Sequence, residues 1–244
     1  MDKYLFEGAL SVKACLLSGN RKVEQIIIDL NKKNKDISFI IKTADKLNIK
    51  VVRKTNVEIE KLASGQTHGG ILCYAGERSY QKIEDVTRRE KYFLCILEGI
   101  EDPFNFGYCL RTLLAAGCDG VIIPKRNWMS ASSIVAKSSA GASEYLNIIP
   151  TDDWEAIFKT IKNTGGKVFC ANRSNALSIY ENSYCKSTVI AIGGEKRGLS
   201  KQILAHSEQN IYIPYGSEFR NAINGSSATA IIAFEVLRQR KNGE

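Results

Sequence analysis

Three stretches of the sequence place glycine and polar residues directly after an apolar run that has the character of a buried strand. The first, residues 98–107, contains Asn105 and leads into a helix that carries Arg111. The second is residues 193–200, and the third joins residues 213–216 to residues 221–230. Backbone groups at such strand ends are free to meet a ligand. The three stretches therefore predict a ligand site that combines glycine backbone with amide, carboxylate and guanidinium groups.

Each stretch also has a purely structural interpretation. Asn105 could cap a helix, and a single arginine on a helix is usually solvated. Residues 193–200 could be a turn before a helix that begins at Ser200, and the small residues at 225–230 could serve tight helix packing. The pattern G-G-E-x-x-G after a late strand is not a dinucleotide fingerprint, and no phosphate-binding loop occurs. A nucleotide- or dinucleotide-dependent enzyme on a doubly wound sheet is therefore disfavoured.

Two α/β units must position these residues. In the first, apolar positions at helical spacing predict a helix over 5–20, and further helices near 36–47 and 56–63 alternate with strands. A polar stretch near 76–90 is the candidate linker. In the second unit, a helix over 152–164 would open with Asp152 and Glu155 at capping-box spacing, and the last helix runs from about 224 to 240. Continuous apolar strands flanked by helices predict a mostly parallel sheet covered on both faces. The predicted strands are 25–28, 50–52, 70–74, 92–97, 121–123, 145–149, 167–170, 189–192 and 211–213.

Charge and composition limit the partners. The net charge of +8 favours a polyanion, and residues 1–90 are the more basic part, with 17 Lys+Arg against 12 Asp+Glu. No apolar run is long enough for a membrane span, and the chain start lacks a signal peptide, so we expect a cytoplasmic protein. Seven scattered cysteines without a C-x-x-C pair, and only two histidines, make a metal site unexpected.

Taken together, the three stretches resemble the signature motifs of the SpoU (TrmH) family of RNA 2′-O-ribose methyltransferases. The family's first motif, N-x-G-x-x-x-R, is met by Asn105, Gly107 and Arg111. The second, G-x-E-x-x-G, is met by Gly193, Glu195 and Gly198. The third pairs an I-P-x-x-G turn with a Ser-Leu-Asn-x-Ser helix start, and its positions are occupied by Ile213, Pro214, Ile223, Asn224 and Ser226.

Two departures from the family pattern stand out. Ala222 replaces the serine of the third motif, which puts a role for that hydroxyl in doubt, although Ser217, Asn221 or Ser226 could substitute. The loop from Pro214 to Asn224 is longer, with Glu218, Phe219 and Arg220 inserted. A non-catalytic RNA-binding protein that kept the fold therefore remains an alternative.

The resemblance implies S-adenosylmethionine as methyl donor, without a metal, and a set of site residues. Arg111 would face the acceptor ribose, positioned with it by Asn105, Glu195 and Asn224. Arg111 either assists deprotonation or stabilises the developing alkoxide, and the electrostatic role is favoured because a guanidinium rarely gives up its proton. The cofactor would be bound mostly by main-chain groups at Gly193, Gly194, Gly198, Ile213, Pro214, Ile223, Ser226, Ala171 and Asn172.

The resemblance also implies an organisation for the whole chain. Residues 1–76 would be an RNA-binding domain resembling small ribosomal proteins, with Gly8 near its start and His68 in its closing strand. Residues 77–90 would be a linker and 91–244 a methyltransferase domain with a trefoil knot. Family members are typically homodimers through that domain. The basic first domain favours ribosomal RNA as substrate over transfer RNA, which remains the alternative.

Overall fold

The computed structural model describes residues 3–125, 131–219 and 221–243, so Arg220 of the inserted loop lies outside the described residues. The chain divides into two compact units. The first comprises Met1–Ser79 and Asn127–Tyr145, and the second comprises Tyr80–Arg126 and Leu146–Glu244. Among the described residues, no helix combines the length and the apolar character that crossing a membrane would require.

A four-stranded sheet forms the centre of the first unit, in the order β1-β4-β2-β3. The β2–β3 pair is parallel, whereas β4 is antiparallel to both β1 and β2. Phe6, Ile26, Ile28, Ile40 and Cys73 are buried in its core. The strands are β1 (Tyr4–Glu7), β2 (Arg21–Asp29), β3 (Lys50–Lys54) and β4 (Ile71–Arg78), and the helices are α1 (Ala9–Ser18), α2 (Lys35–Lys46) and α3 (Asn56–Leu62).

The start of the chain corrects one prediction. The expected helix over 5–20 begins only at Ala9, because residues 4–7 pair with β4 as a strand. Gly8 separates the two elements with a φ of 87°, a conformation that L side chains rarely adopt, and its N–H donates to the carbonyl oxygen of Ile71. Helical spacing alone could not reveal a strand whose partner lies about 70 residues further along the chain.

A seven-stranded sheet forms the centre of the second unit, in the order β7-β6-β5-β10-β8-β11-β9, and all its pairs are parallel. The expected α/β class with a larger parallel sheet is thus confirmed. Its strands are β5 (Phe93–Glu98), β6 (Gly120–Pro124), β7 (Asn147–Thr151), β8 (Lys167–Ala171), β9 (Ala176–Ser178), β10 (Thr188–Gly193) and β11 (Gln209–Tyr212). The helices of the chain after α3 are α4 (Ile83–Thr87), α5 (Pro103–Ala115), α6 (Ser132–Ser138), α7 (Ala142–Tyr145), α8 (Trp154–Asn163), α9 (Lys201–Leu204) and α10 (Gly225–Asn242), with a 3-10 turn at Ile179–Glu181.

Three details of the second unit differ from expectation. Strand β9 was not predicted, because three residues show no usable periodicity. The cap of α8 is Asp153, which accepts a hydrogen bond from the Ala156 N–H, so the expected box opened by Asp152 is wrong. The polar stretch 76–90 contains α4, whose Ile83 side chain is buried in the core of this unit.

Helices α6 and α7 belong to the first unit although they follow β6 in the chain. Glu144 is almost fully buried there, and its carboxylate accepts a hydrogen bond from Arg21 Nε at 2.8 Å. Arg78 Nη1 lies 3.7 Å from the same carboxylate. Because buried charges must be paired, this cluster ties residues 142–145 to the first sheet. The linear division into 1–76, 77–90 and 91–244 stays a prediction.

Candidate active site

The predicted segments meet at one edge of the seven-stranded sheet. Strands β5, β10, β8 and β11 are consecutive neighbours and parallel, so their carboxyl ends lie side by side. The chain leaves these ends at Gly99, Gly194, Asn172 and Ile213. Loops from four separate parts of the sequence therefore line a common site, as expected for a ligand site of a parallel sheet.

A cavity of about 300 Å³, which we call the inner cavity, lies between these loops. Glu195 and Ala222 line it. Pro214 and Ser226, two of the nine residues predicted for cofactor, do not. The other seven predicted cofactor residues all line it, namely Ala171, Asn172, Gly193, Gly194, Gly198, Ile213 and Ile223.

Close backbone contacts explain why β10 ends in glycine. A Cβ atom on Gly193 would lie 2.3 Å from the carbonyl carbon of Gly198, well inside van der Waals contact. The Gly198 N–H donates to the Gly194 carbonyl oxygen at 2.8 Å, and the Gly194 N–H donates to the Glu98 carbonyl oxygen at 2.7 Å. Residues 194–198 thus form a closed turn that presents main chain to the inner cavity.

Glu98, which is not among the predicted site residues, fixes the segment after this turn. Its carboxylate oxygen Oε2 accepts a hydrogen bond from the Ser200 N–H at 2.6 Å. Ser200 in turn caps α9 by accepting from the Ile203 N–H. The carboxylate is half-buried at the end of β5, so it joins the two strand ends on which the site depends. An acid directly after a buried strand was the signal that could have identified it.

A second, smaller cavity, which we call the front cavity, adjoins the first, since both are lined by Gly194, Glu195 and Gly225. Asn105 lines the front cavity from the first turn of α5. The interpretation of Asn105 as a helix cap is wrong, because Asp102 is the cap and accepts from the Asn105 N–H at 2.7 Å. Asn105 and Glu195 are therefore brought together.

Arg111 and Asn224 do not line either cavity. Arg111 is exposed on α5, two turns after Asn105, and lines neither cavity. Asn224 caps α10: its Oδ1 accepts from the Ser227 N–H at 2.7 Å and from the Ser226 hydroxyl at 3.0 Å. The side chains of Asn224 and Ser226 thus stabilise the start of the helix whose first residue, Gly225, borders both cavities.

The inserted loop contributes aromatic residues that the motifs did not indicate. The hydroxyl of Tyr215 accepts a hydrogen bond from the Ile223 N–H at 3.2 Å, which closes the loop upon itself. The Arg173 guanidinium lies over the Tyr215 ring, 5.0 Å from its centroid. Both residues line the inner cavity. The insertion itself was the only signal of this arrangement in the sequence.

Buried thiols near the site are structural. Burial raises the pKa of the Cys109 thiol to about 11, and its sulfur accepts a hydrogen bond from the Thr229 hydroxyl at 3.5 Å, joining α5 to α10. Such a thiol is neutral near pH 7 and a poor nucleophile. Within residues 3–125, 131–219 and 221–243, no cluster of histidine, cysteine and carboxylate side chains could hold a metal ion.

Known proteins resemble the chain over both units. The model of the family described as "RNA 2'-O ribose methyltransferase substrate binding" matches residues 5–81. A putative TrmH family tRNA/rRNA methyltransferase of Staphylococcus saprophyticus is 29% identical, covering 98% of this chain and 97% of that protein. A putative TrmH family tRNA/rRNA methyltransferase of Staphylococcus epidermidis is 28% identical, covering 98% of this chain and 97% of that protein.

Solved structures share the fold at low identity. The SpoU methyltransferase AviRb from Streptomyces viridochromogenes, in complex with the cofactor AdoMet, superposes with a TM-score of 0.83 at 16% identity, over 99% of this chain and 92% of that one. An AdoMet-bound rRNA methyltransferase from Sinorhizobium meliloti gives 0.81 at 19% identity, over 97% and 87%. The model of the SpoU rRNA Methylase family matches residues 92–234, more than half of the chain. The resemblance seen in the motifs is thus confirmed, and this chain belongs to the SpoU rRNA methylase family.

Proposed function

We propose that this protein transfers the methyl group of S-adenosylmethionine to a ribose 2′-hydroxyl of structured RNA, and that its substrate is ribosomal RNA. The observation that carries the proposal is the inner cavity, at which seven of the nine residues predicted for cofactor converge from three separate loops. Two structural neighbours with this fold are described as AdoMet-bound, which supports the same cofactor here.

The cavity suits this cofactor. Gly193 and Gly194 line the cavity without side chains, so a ligand there meets the main chain. Ile213 and Ile223 add apolar surface. Alternating apolar walls and main-chain polar groups are what a nucleoside with an attached amino acid requires. When bound, the cofactor supplies an activated sulfonium methyl group.

The residues beside the cavity would then orient the acceptor. Asn105 and Glu195 border the front cavity and can hydrogen-bond ribose hydroxyls. Holding the acceptor oxygen in position is a large part of catalysis when the transferred group is already activated. A guanidinium placed near the oxygen would stabilise the negative charge that develops as its proton leaves. We assign that role to Arg111.

Arg111 can fulfil this role from a dimer interface. Arg111 lies on the exposed side of α5 with Phe104 and Tyr108. Tyr108 follows Phe104 by four residues and Arg111 follows Tyr108 by three, so the three side chains share one face of the helix. Neighbouring α10 exposes Ile231 and Phe234. Exposed aromatic and aliphatic side chains with an arginine are typical of an interface centre. We therefore propose a homodimer through this face, with Arg111 directed toward the partner's site.

Mixed dimers test this placement. An Arg111→Ala chain paired with a Gly194→Ala chain keeps one complete site only if Arg111 acts across the interface. We expect the mixture to recover methyl transfer that each variant alone lacks. If the mixture transfers no more methyl groups than the two variants do separately, Arg111 acts in the site of its own chain.

The first unit supports RNA as the substrate. It contains most of the basic 1–90 stretch, and the family whose model it matches is described as substrate binding. His68 is buried there, and its Nδ1 accepts from the Gly70 N–H, so it holds the β4 entry turn. A structural role for His68 thus fits better than contact with the reacting atoms. We propose that the protein is located in the cytoplasm, together with this RNA. The trefoil knot of the second unit stays a prediction.

Calorimetry and a transfer assay test the function. We expect S-adenosylmethionine to bind, and labelled methyl to enter purified ribosomal RNA from cells lacking the gene as an alkali-resistant 2′-O-methyl nucleotide. Arg111→Ala should abolish transfer and leave cofactor affinity nearly unchanged. Labelling of transfer RNA instead would identify the alternative substrate. The absence of cofactor binding at millimolar concentration would favour the non-catalytic alternative raised by Ala222.

A further inference from the structure

A third cavity lies beside the inner cavity, on the inserted loop. This outer cavity, of about 410 Å³, is lined by Tyr212, Tyr215 and Phe219, with Arg173, Ala176 and Ser217 among the others. It is continuous with the inner cavity, since the two share four lining residues, namely Arg173, Tyr212, Ile213 and Tyr215. Arg173 is the only charged side chain among its described lining residues.

The aromatic rings at this cavity are open to solvent. Phe219 is 54% exposed and Tyr212 is 37% exposed. The Phe219 ring makes a tilted contact with that of Tyr215, with 6.1 Å between the ring centroids and an angle of 34°, and still leaves about half of its surface open to solvent. Tyr212, Tyr215 and Phe219 are grouped at one cavity, and a grouped apolar surface that is exposed to water marks a binding site.

The cavity is held in place before any ligand arrives. The Asn172 side chain accepts from the Ser174 N–H at 2.8 Å, and the Asn210 amide donates to the Ser174 carbonyl oxygen, which fixes the turn carrying Arg173. On the other side, the Tyr215 hydroxyl ties the loop to Ile223, and the Phe219 N–H donates to the Ser217 hydroxyl. A preformed site loses less conformational entropy on binding.

We propose that the outer cavity binds an unpaired base of the RNA substrate by stacking on Phe219 and Tyr212, with Arg173 beside the adjoining phosphate. This inference rests on the proposed function. Aromatic side chains combined with an arginine are the chemistry that binds single-stranded nucleic acid, because every base has a π-face and every nucleotide a negative charge. Continuity with the inner cavity would place this base beside the bound cofactor.

Phe219 is the residue that tests the proposal, because it lines the outer cavity and not the inner one. The full-length protein is compared as wild type, Phe219→Ala, Phe219→Trp and Tyr180→Ala. Tyr180 is 58% exposed in the same unit and lines none of the three cavities, so it is the matched control. The probe is a short single-stranded oligoribonucleotide in which 2-aminopurine replaces adenine, with its duplex for comparison.

We expect wild type, Phe219→Trp and Tyr180→Ala to quench the 2-aminopurine fluorescence of the single strand. Phe219→Ala should not quench it, and should bind the single strand about 5- to 150-fold more weakly, the range for losing one stacked base. Duplex affinity, S-adenosylmethionine affinity and sedimentation should be unchanged. Arg173→Gln should lower the slope of log affinity against log salt concentration by about one.

Three results would overturn the proposal. Phe219→Ala could bind the single strand as wild type does. It could lose affinity for S-adenosylmethionine in the same proportion, which would assign the cavity to the cofactor's adenine. It could change the sedimentation coefficient, which would assign the cavity to a second copy of the chain. Failure of the wild type to bind S-adenosylmethionine is a separate outcome, because it contradicts the proposed function without any variant.

Discussion

Gly194 lies against Gly99 so closely that a Cβ atom on Gly194 would be 1.9 Å from the Gly99 carbonyl oxygen. The two residues follow neighbouring parallel strands, β10 and β5. Their contact brings the turn at 194–198 over the end of β5, where the front and inner cavities adjoin. The shape of both cavities therefore depends on the absence of one side chain.

Gly194→Ala should distort the site. The added methyl group must displace backbone, which costs about 1–3 kcal/mol of stability, and we expect the heat of S-adenosylmethionine binding to disappear at concentrations that saturate the wild type. Gly216→Ala is the matched control, since nothing lies within 4 Å of its Cβ position. Calorimetry and urea unfolding measure the two effects. Wild-type binding by Gly194→Ala would show that the turn does not shape the cofactor cavity.

The hydrogen bond between Glu98 and Ser200 predicts a larger loss of stability for Glu98→Ala than for Glu98→Gln. Glu98→Ala removes the acceptor for the Ser200 N–H and should cost about 1.5 kcal/mol, the lower end for a hydrogen bond to a charged group. Glu98→Gln keeps an acceptor oxygen, so we expect it to retain most of the stability and cofactor affinity. Urea unfolding and calorimetry on both variants check this order. Equal behaviour of the two would mean that the contact with Ser200 does not hold the turn.

The buried cluster of the first unit should be sensitive to loss of its acid. Glu144→Ala leaves the guanidinium of Arg21 buried without its partner, which costs about 3–5 kcal/mol. The control is Glu24→Ala, whose carboxylate pairs at the surface with Lys3 and contributes about 1 kcal/mol or less. Denaturant unfolding of the full chain reports both. If Glu144→Ala and Glu24→Ala lose similar amounts of stability, the ion cluster does not anchor residues 142–145.

The proposed dimer face predicts a change of assembly state. Phe234→Asp places a charge on an exposed ring position of α10 that we assign to the interface centre. We expect a dimer to become a monomer in analytical ultracentrifugation and methyl transfer to be lost, with cofactor affinity retained. Tyr180→Asp, on another exposed aromatic position, should leave the dimer intact. A wild-type monomer at micromolar concentration would refute the assignment.

The buried thiols predict a loss of stability at alkaline pH. Burial raises the pKa of Cys109 to about 11 and that of Cys118 to about 12, whereas an unfolded cysteine has a pKa of about 8.5. The folded state therefore holds these protons more tightly. The stability that these two thiols contribute is fully present below about pH 8.5, and it decreases as the pH rises from there through their pKa values in the folded state.

Urea midpoints measured from neutral to alkaline pH check this direction. Cys109→Ala should reduce the pH dependence relative to wild type, since the variant lacks one of the shifted groups. Cys185, which is only partly buried, should react first with iodoacetamide at pH 8. Rapid alkylation of Cys109 or Cys118 in the native protein would contradict their burial.

Local sequence patterns were sufficient for much of the fold. All six strands predicted for the second unit exist, because a strand buried on both faces is a continuous apolar run whatever its neighbours are. The glycines at 193 and 194 were recognisable for a related reason, since close backbone approach excludes every other residue. The site segments could thus be selected from residue types and spacing.

Long-range contacts were beyond such patterns. Nothing local showed that residues 4–7 pair with β4, or that Glu144 joins Arg21 across more than 120 residues. Likewise, Arg111 and Asn105 share a motif, yet only Asn105 lines a cavity, because six residues along a helix change both height and direction. The sequence was sufficient to select the segments that meet at the candidate site. Only the tertiary structure decided which side chains meet, because strand order and the outward faces of helices arise from contacts between distant parts of the chain.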